Sequence, residues 1–562
     1  MPGFDLTRPN GEQMQRLIKS ISRYAAGQSA TVLDATYTAM LNGSNTSDVF
    51  RQWWPMSAGT DSKYVRLSRF GTMLAKAWSG KVYTLRYNLP ETSGAPEMTP
   101  MDDLTGKSPA QLCTDATTPV ADWADEDPMT WYVRANALSL ADGTMNVLAI
   151  EGEPEFDIFG NTAPVYTFCI ALWHKAWSDG SYMYKSWRTD QENGYEPYAG
   201  DVDPLNNKRV LTWRPTFPGG YNSAGKLSSG KGQKPFIRKS ANDGIASARY
   251  VSSYEGLWND ADTIWALDMW QLRHFNLENS GICEGCQSYN DYKTAAVSET
   301  GVTRILLTSA NAAYYQVGSN VSVGTNASTD RGNAATYSIA DCATILSKET
   351  VNVEGTDYVA LNLDVSTPFD VTSGTTQIIT MPWSAGNTEN LPGHKDGACY
   401  SLTAGRNPMR VQGVELMDGA YTIGLDPLYN VTNYADSKGD YAVYECRDST
   451  KLAGSITSDY VSTGIGMEKV ANAWNYVKAF VATSKAVLFP KTFGAASNTW
   501  YKSAFCGPAS AGVRCPWRFG YLNYGATAGL ACESGNLSPS TAYWHGRPRL
   551  SGAGKKRGDW TA

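Results

Sequence analysis

Met14, Leu17, Ile18, Ile21 and Ala25 recur three and four apart, so a helix over 12–25 would carry them on one face. Pro9 and Asn10 stand just before it and suit a helix start. A second helix-compatible apolar segment runs from Val32 to Leu41, which makes a helical lead. Residues 45–300 lose this period. Trp53-Trp54-Pro55, Trp131-Tyr132-Val133 and Tyr166-Thr167-Phe168-Cys169 predict short strands between long loops, and 184–245, rich in Gly, Pro, Asn and Lys, predicts exposed loops. From 296 to 380 the period becomes two. Val302 to Leu307 and Val321-Ser322-Val323 are β-prone, and Val359, Leu361, Leu363 and Val365 alternate with Ala360, Asn362 and Asp364. This stretch predicts a small β-barrel or sandwich, free-standing or inserted into a larger domain. Glu468 to Phe480 predicts one helix with Val470, Trp474, Val477 and Phe480 on its apolar side.

These patterns divide the chain into 1–110, 111–295, 296–380 and 381–562. The fold class expected is mainly β with an α+β C-terminal domain, an added β module and a helical lead. At 562 residues the chain has room for several cores, and with 18% charged residues but 32 Tyr and 18 Trp it belongs with globular proteins, not disordered ones.

Charge narrows the partners. The net charge is −6 and no basic stripe crosses the body of the chain, so no nucleic-acid binding is expected. One basic cluster, Arg547, Arg549, Lys555, Lys556 and Arg557, reads as a surface tail closing the last domain. No apolar run approaches the ~18 residues of a membrane span, so no membrane insertion is expected, and the first residues do not read as a secretory signal. The ten cysteines are scattered and read mostly as buried thiols, with one or two bridges left open.

Motifs of catalysis are weak. Gly220 to Leu227 approaches a phosphate-binding loop, but Leu227 stands where Ser or Thr should hold magnesium. Cys283-Glu284-Gly285-Cys286 has zinc or redox spacing without a second pair. The histidines, His174, His274, His394 and His545, lie far apart. Glu151 with Glu153, or Asp125 with Glu126, would serve glycoside hydrolysis only at a separation that sequence does not give. No catalytic residue, metal or cofactor is assigned.

The stretch 517–549 holds two classes of position. Trp517, Gly520, Gly525, Gly529, Leu530, Trp544, Gly546 and Arg549 read as framework: glycines for tight turns, indoles and a leucine as anchors. Between them stand Tyr, Ser, Asn and His, the residue types of adaptable contact surfaces.

Arg518-Phe519-Gly520, Ala528-Gly529-Leu530, Ser540-Thr541, Trp544 and Gly546 to Gly552 resemble the variable region of bacteriophage proteins diversified by retroelements. Gly386-Asn387-Thr388, Asn407 to Arg410, Gly413-Val414-Glu415, Gly419 and Phe489 to Gly494 resemble the core motifs of the fold in which those proteins end. The resemblance covers roughly 381–562. It implies a C-type-lectin-like fold of the formylglycine-generating-enzyme type. It also implies twelve exchangeable ligand-binding positions: Phe519, Tyr521, Asn523, Tyr524, Ala526, Cys532, Ser534, Asn536, Leu537, Ser540, Tyr543 and His545. Cys286 to Asn290 with Thr294 to Val297 is similar to segments of phage tail proteins. The family's role implies a virion tail or fibre-tip protein that binds a bacterial surface receptor, protein or glycan, beside other tail proteins and as a homotrimer. The calcium motifs of sugar-binding lectins are absent. Trp258-Asn259-Asp260 is a fragment of one of their partner motifs, far upstream. The enzyme branch of the fold uses a cysteine pair with copper. Cys506 and Cys515 are near one another in sequence but lack a histidine-rich or acidic setting. The alternatives are a purely structural tail component and an enzyme, either carbohydrate-active or thiol-oxidising.

Overall fold

Asn259 ends one extended segment and begins the helix that organises this protein. Its side chain accepts from the backbone N–H of Asp262, and the Asp262 carboxylate accepts in return from the N–H of Asn259, both at 3.2 Å. The fragment that resembled a lectin motif is therefore a helix cap. The helix runs over Asp260–His274, and all of its residues are buried. Buried on every side, it has no polar face and no amphipathic period to betray it.

The computed structural model describes residues 30–42, 44–89, 97–115, 117–120, 131–203, 207–325, 331–393, 396–446, 448–481, 487–494 and 501–552. The helix expected over 12–25 lies outside them. The described helices are α1 (Ala30–Met40), α2 (Thr46–Met56), α3 (Lys63–Ala77), α4 (Ala241–Val251), α5 (Asp260–His274) and the short α6 (Ser309–Ala312). α1 matches the segment expected from Val32 to Leu41. α2 to α5 fall where strands and loops were expected.

The architecture is mixed α/β with several antiparallel sheets, which corrects the mainly β expectation. Three further parts of that expectation fail. Beyond α6 no described residue is in an α-helix, so the helices expected of an α+β last unit are missing from its described residues. Glu468 to Phe480 is not a helix but spans the end of one strand, Tyr460–Ala471, and the whole of the next, Trp474–Phe480, which join different sheets. Its β-branched and aromatic residues gain more from pairing with Lys438–Cys446 and Ala504–Cys506 than from helical spacing. Finally, no sheet closes into a barrel. The β module is an open sheet in the order Tyr292–Thr294, Gln377–Met381, Asn320–Gly324, Ala340–Val353, Thr356–Leu363, Arg304–Leu307. Its two edge strands, of three and four residues, do not pair with each other. The alternation over 359–363 does place Leu361 and Leu363 in the module's own core.

The segment 184–245, expected as exposed loops, is largely internal. Leu211–Pro215 is buried throughout and forms the edge of a four-stranded sheet with Met145–Ile150, Tyr132–Ser139 and Val165–Ile170. A single apolar cluster extends from Tyr37 to Ala531 and includes residues of α1 to α3, α5 and the last unit.

α5 ties these parts together by charge. Asp260 pairs with Arg518 at 2.6 Å, Asp262 with Arg214 at 2.8 Å, Asp268 with Lys185 at 2.6 Å, and Arg273 with Asp396 at 2.7 Å. Each partner belongs to a different segment of the chain. Buried charges demand such partners, because an unpaired ion in the interior is strongly destabilising.

Candidate functional site

The C-terminal surface rests on two short strands. Trp517–Arg518 lies between Tyr421–Ile423 and Glu533–Ser534, and Gly546–Pro548 runs parallel to Tyr421–Ile423 on its other side. Glycine is required at the crossing. A Cβ on Gly546 would stand 2.4 Å from the Trp517 ring, and one on Gly520, where φ is 87°, would stand 2.6 Å from the Ala528 Cβ. Trp517, Gly520, Gly529, Leu530, Gly546 and Arg549 are buried, while Gly525 and Trp544 are half-buried.

Arg547 and Arg549, expected on a surface tail, are internal. Arg549 donates to the carbonyls of Glu415 and Pro215 at 2.7 Å each and lies over the Trp258 ring, and burial pushes its pKa down to about 9. Arg547 donates to the Trp383 carbonyl at 2.9 Å and pairs with Asp418. Lys555, Lys556 and Arg557 lie outside the described residues.

The twelve expected contact positions separate into three groups. Asn523, Ala526, Ser540 and Tyr543 are exposed, Tyr543 at 48%. Tyr521, Tyr524, Asn536, Leu537 and His545 are half-buried. Phe519, Cys532 and Ser534 are buried and offer a ligand no accessible side chain. Their burial has local causes. Phe519 turns inward at φ 76° and meets Trp258 edge-on, while Ser534, on the strand between Trp517–Arg518 and Ala504–Cys506, bonds to Asn536 at 2.8 Å. Cys532 immediately precedes that strand.

Tyr521 is the hinge of an aromatic cluster that joins both loops. Its ring lies 4.2 Å from Tyr524, 4.6 Å from His545 and 5.5 Å from Trp544, centroid to centroid. Tyr543 stands 5.2 Å from His545. Burial and the nearby Arg331 guanidinium push the His545 pKa down to about 4, so the ring is neutral at pH 7. Its Nδ1 has no hydrogen-bond partner among the described residues.

Four neighbours escaped the sequence reading. Tyr421 lies beneath the cluster, 5.5 Å from both Tyr521 and Tyr524. Trp474, read as a helix residue, packs edge-on against Tyr524 at 4.7 Å. Asn290 donates to Asn523 at 2.6 Å, and Arg331 of the β module lies 4.7 Å over Trp544. No local pattern marks Arg331 or Asn290, because both come beside the C-terminal loops through tertiary folding, Arg331 as a buried residue.

The residues weighed for catalysis have structural partners. Glu151 pairs with Arg134, Glu153 with Lys63, His274 with Asp396, and His174 stacks on Tyr198 at 4.1 Å. His394, Asp125 and Glu126 lie outside the described residues. Gly220 to Leu227 forms a tight hairpin instead of a strand–loop–helix. All ten cysteines, including Cys283 and Cys286, are buried free thiols, and burial pushes Cys506 up to about 11 and Cys515 up to about 12. Among the described residues, no three His, Cys, Asp or Glu side chains come together as a metal would need. No described helix is long and apolar enough to cross a membrane.

The chain matches no protein-family model and no curated protein.

What the arrangement can do is present side chains. A floor of buried glycine, indole and guanidinium groups fixes the backbone, and two loops carry aromatic and small polar residues outward.

Proposed function

We propose that this protein is a bacteriophage tail receptor-binding protein of the retroelement-diversified kind, meeting the bacterial surface through 517–549. It binds without catalysing a reaction, works as a homotrimer and sits among other tail proteins. One observation carries the reading. Exposed Asn523, Ala526, Ser540 and Tyr543 stand in two adjoining loops, while Gly529 and Leu530 between the loops and Gly546 after the second are buried. Such a surface tolerates exchange of its outer side chains, and a fixed backbone loses little ordering entropy on binding. Several copies on one particle add avidity of about 10²–10⁴ over a single weak contact.

The test is adsorption of virions in which Asn523, Ser540 and Tyr543 are all replaced by Ala. The expected result is normal assembly and an unchanged melting temperature with lost adsorption. Particles that fail to assemble, or that adsorb as before, overturn the proposal. The coding DNA offers a second check: a near-copy of the 517–549 stretch differing mainly at adenines, beside a reverse-transcriptase gene.

A further inference from the structure

A cleft of about 350 Å³ opens where the 221–239 segment faces the β module. Tyr221, Ile237 and Cys342 supply apolar wall, and Lys234, Arg238, Lys239 and Asp341 supply charge. Three cations thus face one carboxylate. That carboxylate is already occupied: Asp341 pairs with Arg238 and accepts from the Ser322 hydroxyl at 2.8 Å. Lys234 reaches Asp364 at 3.5 Å. Lys239 has no ion-pair partner among the described residues, so the cleft keeps a surplus of positive charge.

Arg238 is held in place on every side. Its guanidinium lies 3.9 Å over the Tyr337 ring and donates to the Arg331 carbonyl at 3.3 Å. Its backbone N–H donates to the Tyr543 carbonyl at 3.1 Å. Its Nε is sequestered and has no hydrogen-bond partner among the described residues. Both Arg238 and Cys342 adopt positive φ, at 55° and 49°. Non-glycine residues in that region are strained, and strain of this kind collects where a side chain must be aimed at a ligand.

We propose that this cleft binds a sugar-sized anion, a monosaccharide bearing a carboxylate or a phosphate. The volume lies at the low end of small-molecule sites, enough for one ring. Tyr221 and Ile237 offer the apolar surface for the ring face, and Lys234 and Lys239 meet the anionic group. The site is a second one beside the aromatic cluster, joined to it through the Tyr543 carbonyl, and its existence does not depend on the receptor-binding reading.

The experiment is saturation-transfer NMR on the full chain with D-glucuronate, glucose 6-phosphate and D-glucose, at low ionic strength. At least one anionic sugar is expected to bind more tightly than glucose, and the anion that binds assigns carboxylate or phosphate. Lys239→Glu and Lys234→Glu, both at accessible positions, are expected to weaken that binding about tenfold or more, with unchanged melting temperatures. Equal signals from glucose and both anions, no binding of either anion at millimolar concentration, or retention of binding in both variants would overturn the proposal. No host cell enters the assay, so a failed adsorption experiment leaves this result standing, and the reverse holds too.

Discussion

Replacing Arg518 with methionine removes one guanidinium from between two buried carboxylates. Arg518 meets Asp260 at 2.6 Å and Glu533 at 2.8 Å, and donates to the Leu488 carbonyl at 2.8 Å. Asp260 and Glu533 are 0% and 1% exposed. Without the cation, both acids remain in the interior with no compensating charge from that side chain. Breaking a buried pair in this way costs about 3–5 kcal/mol. At an unfolding entropy of about 2.1 cal/mol/K per residue, a chain this long unfolding as one unit would lose about 2.5–4 °C in Tm. Differential scanning calorimetry reads the shift. Burial already raises the Glu533 pKa, so its carboxyl takes up a proton more readily at pH 6 than at pH 9, and the loss is expected to be larger at pH 9. The triple variant Arg518→Met, Asp260→Asn, Glu533→Gln should recover most of the stability, because no charge is left unpaired. A single variant that melts within 1 °C of the parent, or a triple variant no better than the single, refutes the view that this network ties α5 to the C-terminal platform.

Gly546→Ala drives a methyl group into the Trp517 ring and should destabilise by about 1–3 kcal/mol, seen as a lower Tm; an unchanged melt would show that the crossing has slack. Burial pushes the Glu278 pKa up to about 8, so its contribution to stability is complete below about pH 4.5 and is lost as pH rises through 8. Glu278→Gln should therefore flatten the fall in Tm between pH 5 and 9, and an equally steep fall in the variant would refute the assignment. Thiol titration should find essentially no reactive cysteine in the native protein and all ten after denaturation in guanidinium, and prompt native labelling would contradict their burial.

Legibility in the sequence followed the physics of each element. The Leu361–Leu363 alternation was readable because both leucines are buried while Asn362 between them is half-exposed, although Ala360, on the Asn362 side, is buried as well. α5 was unreadable by period because it is buried all round, although its Asn259–Asp262 capping box was a usable signal in the plain sequence. The Glu468 to Phe480 stretch misled because Val470, Trp474 and Val477 fit helical spacing while long-range pairing decided the outcome. At the candidate site residue type alone pointed to Trp517, Gly520, Gly529 and Gly546, which are buried, and to Gly525, which is half-buried. Which of the intervening positions face outward was not legible. Phe519 and Cys532 differ from Tyr543 in burial through contacts with Trp258 and the neighbouring strands, partners remote in sequence. Arg331 reaches Trp544 across some two hundred residues, a distance no local pattern spans.

The order in which the chain is synthesised gives the burial of Arg547 a further meaning. Asp418 is synthesised more than a hundred residues before its cation, and Leu550–Ser551 completes the small sheet begun at Gly256–Leu257. A product cut short anywhere before residue 547 keeps an uncompensated carboxylate and an open strand edge, both marks of a misfolded chain. The last described residues thus supply both the cation that Asp418 faces and the strand that pairs with Gly256–Leu257.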